Sequence, residues 1–149
     1  MKKLLFIVNP KAGLKKNRNY IDEAVQVFEE AGYKVGIKYT KKRLDGTNIA
    51  REHGARVDLV VCMGGDGTLN EVIQGMAEKE ITTPLGYIPA GSTNDFAASL
   101  GLSSNPKTQA EFIVSHEAKP LDMGMFNGRY FVYTASAGIF TETSYSTPQ

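Results

Sequence analysis

Three short runs of small residues carry the chemistry this chain can do. They are Asn9-Pro10-Lys11-Ala12-Gly13, Gly64-Gly65-Asp66-Gly67-Thr68 and Pro89-Ala90-Gly91-Ser92-Thr93-Asn94-Asp95. Loops this poor in side chains let an anion approach backbone amides, and a helix N-terminus behind them favours negative charge. Phosphate is the ligand they suit. The second run is not a P-loop, which needs Lys-Ser/Thr, and its glycines are not spaced as in the dinucleotide motif. A Walker-type ATPase and a dehydrogenase are thereby disfavoured. Asp66 among glycines does not suit a bare phosphate, but it suits a site that holds Mg²⁺ as well. A β-branched residue at Gly65 is expected to intrude on the phosphate and to strain the loop backbone.

Each feature also has a purely structural explanation. Thr68 and Glu71 make a Thr-x-x-Glu capping box, worth ~1 kcal/mol with no ligand. Gly64 and Gly65 suit a tight strand-to-helix turn. Asn94 and Asp95 suit a helix cap, and Lys11, Lys15, Lys16 and Arg18 suit a solvated loop. Cys62 reads as core. His53 and His116 stand alone, without partners at ligand spacing, and are assigned nothing. Asp122 opens an expected strand in an apolar setting, where an acid is costly unless paired, which favours a functional role.

Apolar patterning supplies the elements that position these loops. Residues 4–8 and 59–62 are continuous apolar runs, as in strands covered on both faces. Residues 34–40 and 84–88 read as two further strands. Ile21, Ala24, Val25 and Phe28 fall at helical spacing, and Gly32 closes that helix. A short helix is expected over 45–53. Leu69, Val72, Ile73, Met76 and Ala77 mark a third helix, and Phe96, Ala97 and Leu100 a fourth. Asn105-Pro106 is a helix start, with a capping Asn and Pro at the first helical position. The alternation predicts an α/β fold, a Rossmann-like parallel sheet flanked by helices on both faces. Ligands in such sheets bind beyond the strands' carboxyl ends, where all three small-residue runs fall.

The pattern changes near Lys119. Residues 121–126 and 129–135 read as a hairpin about Asn127-Gly128, a dipeptide suited to a tight two-residue turn. Gly138-Ile139-Phe140 continues extended. The chain then reads as a nucleotide-binding α/β domain, 1–120, followed by the first strands of a truncated second, β-rich domain, 121–149. An unpaired hairpin of this kind is expected to drive homodimerisation or aggregation.

The chain has 149 residues, a single-domain length, and 17 basic against 16 acidic side chains leave a net charge of +1. That balance argues against a nucleic-acid partner. One cysteine excludes an intrachain disulfide and suggests a reducing compartment. The apolar run after Lys2-Lys3 is too short for a signal peptide, and no run approaches a membrane span, so contact with a membrane is expected from the surface only.

The three runs, in this order, resemble the diacylglycerol kinase catalytic domain family, which includes soluble bacterial lipid kinases, sphingosine kinases and ceramide kinases. Leu121-Asp122-Met123-Gly124 with Asn127-Gly128-Arg129-Tyr130-Phe131 resembles the family's passage into its second domain. Gly-Gly-Asp-Gly alone is shared with 6-phosphofructokinases and NAD kinases; the four segments together are specific. The resemblance implies the N-terminal fold that NAD kinases and diacylglycerol kinases share. It implies transfer of the ATP γ-phosphoryl group to a lipid hydroxyl, such as that of diacylglycerol, with Mg²⁺. It puts nucleotide contacts at Asn9, Pro10, Lys11, Ala12, Gly13, Thr40, Gly65, Asp66, Gly67, Thr68, Leu69, Asn70, Glu71 and Ser92. It makes Asp66, Asp95 and Asp122 supports of the metal and the interdomain cleft, Asp122 as an indirect metal ligand. The catalytic base is expected in the second domain, so these residues alone are expected to be inactive. Ala98 stands where many relatives carry Arg. A cytoplasmic protein that meets its lipid at a membrane surface follows. The alternatives are an NAD kinase-like enzyme, disfavoured by the first and third runs, and a non-catalytic nucleotide-binding module.

Overall fold

The computed structural model describes residues 1–12 and 19–132. Its centre is a parallel four-stranded sheet made of β1 (Lys2–Val8), β2 (Tyr33–Tyr39), β3 (Leu59–Gly64) and β4 (Leu85–Pro89), in the order β2-β1-β3-β4. The two central strands are the two continuous apolar runs. Leu4 to Val8 of β1 and all of β3 are buried, as coverage on both faces demands. Edge strand β2 instead alternates, with Lys34, Gly36 and Lys38 exposed. The chain leaves β1 for β2 on one side and returns to β3 on the other. The carboxyl ends of β1 and β3 therefore flank a topological switch point.

Side-chain alternation divides the core in two. Leu5 and Ile7 of β1 join Val60 and Cys62 of β3 under α2 (Asp45–His53), α3 (Asp66–Glu78) and α4 (Asp95–Ser99). Leu4, Phe6 and Val8 join Leu59, Val61 and Met63 under α1 (Asn19–Glu30) and α5 (Pro106–Ser115). On that second face Phe6 meets Phe28 edge-on, with ring centroids 5.6 Å apart. The α/β, helix-flanked parallel sheet expected from the sequence is the observed fold. Gly32, at φ 87°, closes α1, and the Asn105 side chain accepts from the Thr108 amide at the start of α5.

β1 starts two residues before its expected limit and β3 ends two after, while β2 and β4 are each shifted by one residue. At β4 the reason is Pro84, which has no N–H to donate and only accepts from the Val60 amide, at 2.9 Å. The hairpin is shorter than expected. β5 (Gly124–Phe126) pairs antiparallel with β6 (Arg129–Phe131) about Asn127 at φ 49° and Gly128 at φ 72°. Leu121, Asp122 and Met123 lie outside it, and the expected strand residues from 133 onward lie outside the described residues. The hairpin docks on α3: Gln74 Oε1 accepts from the Tyr130 amide at 2.8 Å, and Tyr130 and Val132 pack on the core beneath. Met125 and Phe126 remain exposed.

Candidate functional site

A cleft of about 620 Å³ opens at the carboxyl ends of the strands. Asn9, Lys11 and Ala12 after β1, Gly65 to Thr68 after β3, and Gly91 to Asn94 after β4 line it, together with Thr40, Lys41, Lys42 and Arg43 after β2. All four strand ends thus contribute, and the three small-residue runs come together.

Hydrogen bonds fix the loops to one another. Across the switch point Asn9 Nδ2 donates to Thr68 Oγ1 at 3.1 Å, while Asn9 Oδ1 accepts from the Lys11 amide at 3.0 Å. The Ala90 amide donates to the Gly64 carbonyl at 2.8 Å, and the buried Tyr87 hydroxyl donates to the same oxygen at 3.0 Å. Burial, and then the charge of Asp66, push the Tyr87 phenol well above its ordinary value, so it stays a donor. Asp66 Oδ2 accepts from the Asp95 amide at 2.9 Å, tying the β3 loop to the start of α4. Asp66 Oδ1 is buried with no partner. A buried acceptor left unsatisfied costs ~1–3 kcal/mol, which a bound group that donates to it would recover.

The glycines are needed for close approach. A methyl group on Gly64 would meet the Thr68 side chain at 2.7 Å, and one on Gly65 would meet the Gly91 Cα at 3.4 Å. Gly65 itself is extended, at φ −84° and ψ −176°. Contact, not backbone strain, therefore limits what can replace it, and the expected strain at this glycine is absent.

Two capping expectations are corrected. Thr68 and Glu71 do not form a capping box: the N-cap of α3 is Gly65 and no side chain caps it. The Glu71 carboxylate instead accepts from the Leu44 amide at 2.9 Å and the Gly46 amide at 3.1 Å, at the start of α2. Asn94 stands at the start of α4 in the left-handed region, φ 50°, and its side chain bonds both the N–H and the carbonyl of Gly91 rather than the helix.

The remaining expected site residues divide. Thr40 and Ser92 line the cleft, Thr40 buried and Ser92 exposed. Leu69 is turned into the core, and Pro10 and Asn70 are exposed and off the cleft wall. Asp95 contributes its amide to Asp66 but does not line the cleft. Asp122 is exposed, with no strand around it, so the apolar setting expected for it is not found. Gly13, Lys15, Lys16 and Arg18 lie outside the described residues. Cys62 is core, wholly buried. Lys41, Lys42 and Arg43 went unremarked in the sequence; the only signal was three cations in a row immediately after a strand.

An open parallel sheet whose switch point carries a glycine-lined, partly basic cleft defines the class: a doubly wound α/β domain with its cleft at the strand ends. Comparison with known proteins narrows it. The sequence pattern described as the diacylglycerol kinase catalytic domain matches residues 3–126. A diacylglycerol kinase of Bacillus subtilis (strain 168) is 38% identical over 150 residues, covering 99% of this chain and 50% of the relative. A diacylglycerol kinase of Staphylococcus epidermidis (strain RP62A) is 37% identical, with 99% and 47% covered. A crystal structure of a diacylglycerol kinase from Bacillus anthracis str. Sterne superposes with a TM-score of 0.79 at 37% identity, covering 87% of this chain and 45% of that one. The chain belongs to the diacylglycerol kinase catalytic domain family. It spans about half the length of the curated relatives it matches.

Proposed function

We propose that the chain binds ATP and serves as the nucleotide-holding part of a lipid kinase, with diacylglycerol as the acceptor its relatives' names suggest. The observation that carries this reading is the convergence of three side-chain-poor loops on one cleft, with Gly65 and Gly91 nearly in backbone contact. Phosphoryl transfer asks a protein chiefly for positioning and charge neutralisation. Backbone amides of the loops hold the triphosphate, and Thr68 is oriented by Asn9 to face it. Lys11 and the cations after β2 offset its charge.

The residues fit a metal held through water better than one held directly. Among the described residues no group of three or more His, Cys, Asp or Glu side chains is gathered to ligate an ion. Asp66 Oδ1, buried and unpartnered, is an acceptor for a metal-bound water. When bound, Mg²⁺ would neutralise phosphate charge. In this reading Asp95 supports the site through the amide it gives to Asp66, and Asp122 through its place at the entry to the second domain. Residues from 121 onward open a second, β-rich domain, and the catalytic base belongs to the region matching the other half of the relatives. In this reading the lipid is met at a membrane surface; among the described residues no helix is long and apolar enough to cross a membrane.

Calorimetric titration of the 149-residue chain with ATP and Mg²⁺ tests the site, paired with a micelle assay for phosphate transfer to diacylglycerol in which NAD is the rival acceptor. Saturable ATP binding that Asp66→Ala weakens is expected. Absence of binding, or transfer to NAD in preference to lipid, overturns the reading.

A further inference from the structure

The loop after β2 is held far more firmly than its exposure requires. Asp45 Oδ2 accepts from the Lys41 amide at 2.7 Å and the Lys42 amide at 3.0 Å. These two amides hold the Asp45 carboxyl below the usual carboxylate range. Two residues on, Glu71 reaches across from α3 and takes the Leu44 and Gly46 amides, one on each oxygen. The Glu71 carbonyl also accepts from Thr47 Oγ1 at 2.9 Å. Leu44, exposed and not a glycine, sits at φ 70°, a conformation that persists only where its surroundings over-determine it.

Both carboxylates are thus spent chiefly on backbone amides; the charges of Lys42 and Lys41 act on Asp45 only as smaller contributions. No ion pair among the described residues engages Lys41, Lys42 or Arg43, yet all three line the cleft that the Gly65 loop also lines. Three like charges in sequence repel one another and favour a mobile segment. Fixing their backbone and leaving their heads unpaired is how an anion site is preorganised.

We infer that Glu71 and Asp45 are positioning residues: they set Lys41, Lys42 and Arg43 as the polyphosphate-binding rim of the cleft, and Glu71, itself on the cleft wall, does so from α3 through the Leu44 and Gly46 amides. This rests on reading the cleft as a nucleotide site, and it assigns recognition of the phosphate chain to the β2 loop. It makes a prediction opposite in sign to simple electrostatics. Removing a negative charge beside an anion site should tighten anion binding. Glu71→Gln should weaken it, because the new amide presents a donor to one of the two backbone N–H groups and that end of the loop is released. Asp45→Ala removes the acceptor of both lysine amides and should weaken the rim as well.

The test titrates the 149-residue chain and its variants with inorganic tripolyphosphate, ATP and AMP, with thermal melts as a folding control. For Glu71→Gln we expect about a tenfold loss for tripolyphosphate and ATP and little change for AMP. Asp45→Ala should likewise lose affinity for tripolyphosphate and ATP more than for AMP. The exposed triple variant Lys41→Ala, Lys42→Ala, Arg43→Ala should lose as much as Glu71→Gln, and the two together little more, since coupled residues are not additive. The triple variant keeps the test decisive should Glu71→Gln melt early. Tighter tripolyphosphate binding by Glu71→Gln, equal losses for AMP and ATP, or an inert triple variant each overturn the inference. A parent that binds tripolyphosphate but not ATP defeats the nucleotide reading and leaves the rim standing; a parent that binds neither defeats both.

Discussion

A methyl group on Gly91 would stand 2.6 Å from the Cα of Gly65, and 2.9 Å from Asn94 Oδ1. The β3 and β4 loops touch backbone to backbone at that point, and neither partner can retreat by turning a side chain. Gly91→Ala therefore has to spread the cleft wall. Because the loops are at the surface, we expect a modest stability loss, about 1–3 kcal/mol. ATP affinity should fall about tenfold or more, equivalent to ~1.4 kcal/mol. Gly65→Ala, whose methyl group would meet Gly91 only at 3.4 Å, should be the milder of the two. Titration and melting of both variants check the order; equal affinities would show that the contact does not shape the site.

Gly75 makes the same kind of contact inside the fold. It lies on α3 directly against the carbonyl of Thr47 on α2, with no room for a Cβ between the two helices. Ala is the better helix former by ~1 kcal/mol, so propensity alone predicts stabilisation. We expect the reverse for Gly75→Ala, a loss of at least about 1–3 kcal/mol from overpacking against backbone. Urea unfolding decides between them, and a raised midpoint would mean that α2 moves away freely.

Tyr87→Phe removes the hydroxyl that donates to Gly64 in the buried strand end. The expected cost is about 1 kcal/mol near neutral pH. The variant should also change the alkaline limb of the stability profile. The folded phenol is pushed up by burial, whereas in the unfolded chain it ionises near ~10. Below that pH both states hold the proton and nothing is lost. Above it the unfolded chain gives up the proton while the folded chain keeps it, so stability falls as pH rises. Denaturation midpoints from about pH 9 to 11 should therefore fall less steeply in Tyr87→Phe than in the parent. Parallel profiles would place the hydroxyl in contact with solvent.

Cys62 is wholly buried, and burial raises its thiol pKa far above the usual value, with a smaller contribution from the charge of Glu71. Labelling by an aromatic disulfide reagent at neutral pH should be slow and track opening of the sheet, becoming fast only in denaturant. Stoichiometric labelling of the native protein on mixing would contradict this burial.

What could be read from the sequence was whatever local pattern decides. The continuous apolar runs of β1 and β3, the helical spacing of α1 and α3, and the Asn127-Gly128 turn all declare themselves within a few residues. Glu71 did not. Its spacing from Thr68 offers a local cap, yet its carboxylate goes to amides 25 and 27 residues away, a choice made by how α2 packs on α3. Lys41, Lys42 and Arg43 were hidden for a related reason. Only the strand order brings the end of β2 to the rim of a cleft centred on β1 and β3. Asp122 misled in the other direction: apolar neighbours in sequence suggested burial, but Leu121 and Met123 are themselves exposed.

Strand β1 is a party wall. Leu5 and Ile7 belong to the side that carries α2, α3 and α4; Leu4, Phe6 and Val8 belong to the side of α1 and α5. The two compartments share a backbone but no side chains. A volume change at Phe6 is absorbed against Phe28, while one at Ile7 presses on the side that carries α3, whose first turn lines the cleft. Divergence among relatives should therefore be lopsided. The α1 and α5 side is free to drift in size and shape, and the α2 and α3 side is constrained by the cleft it frames.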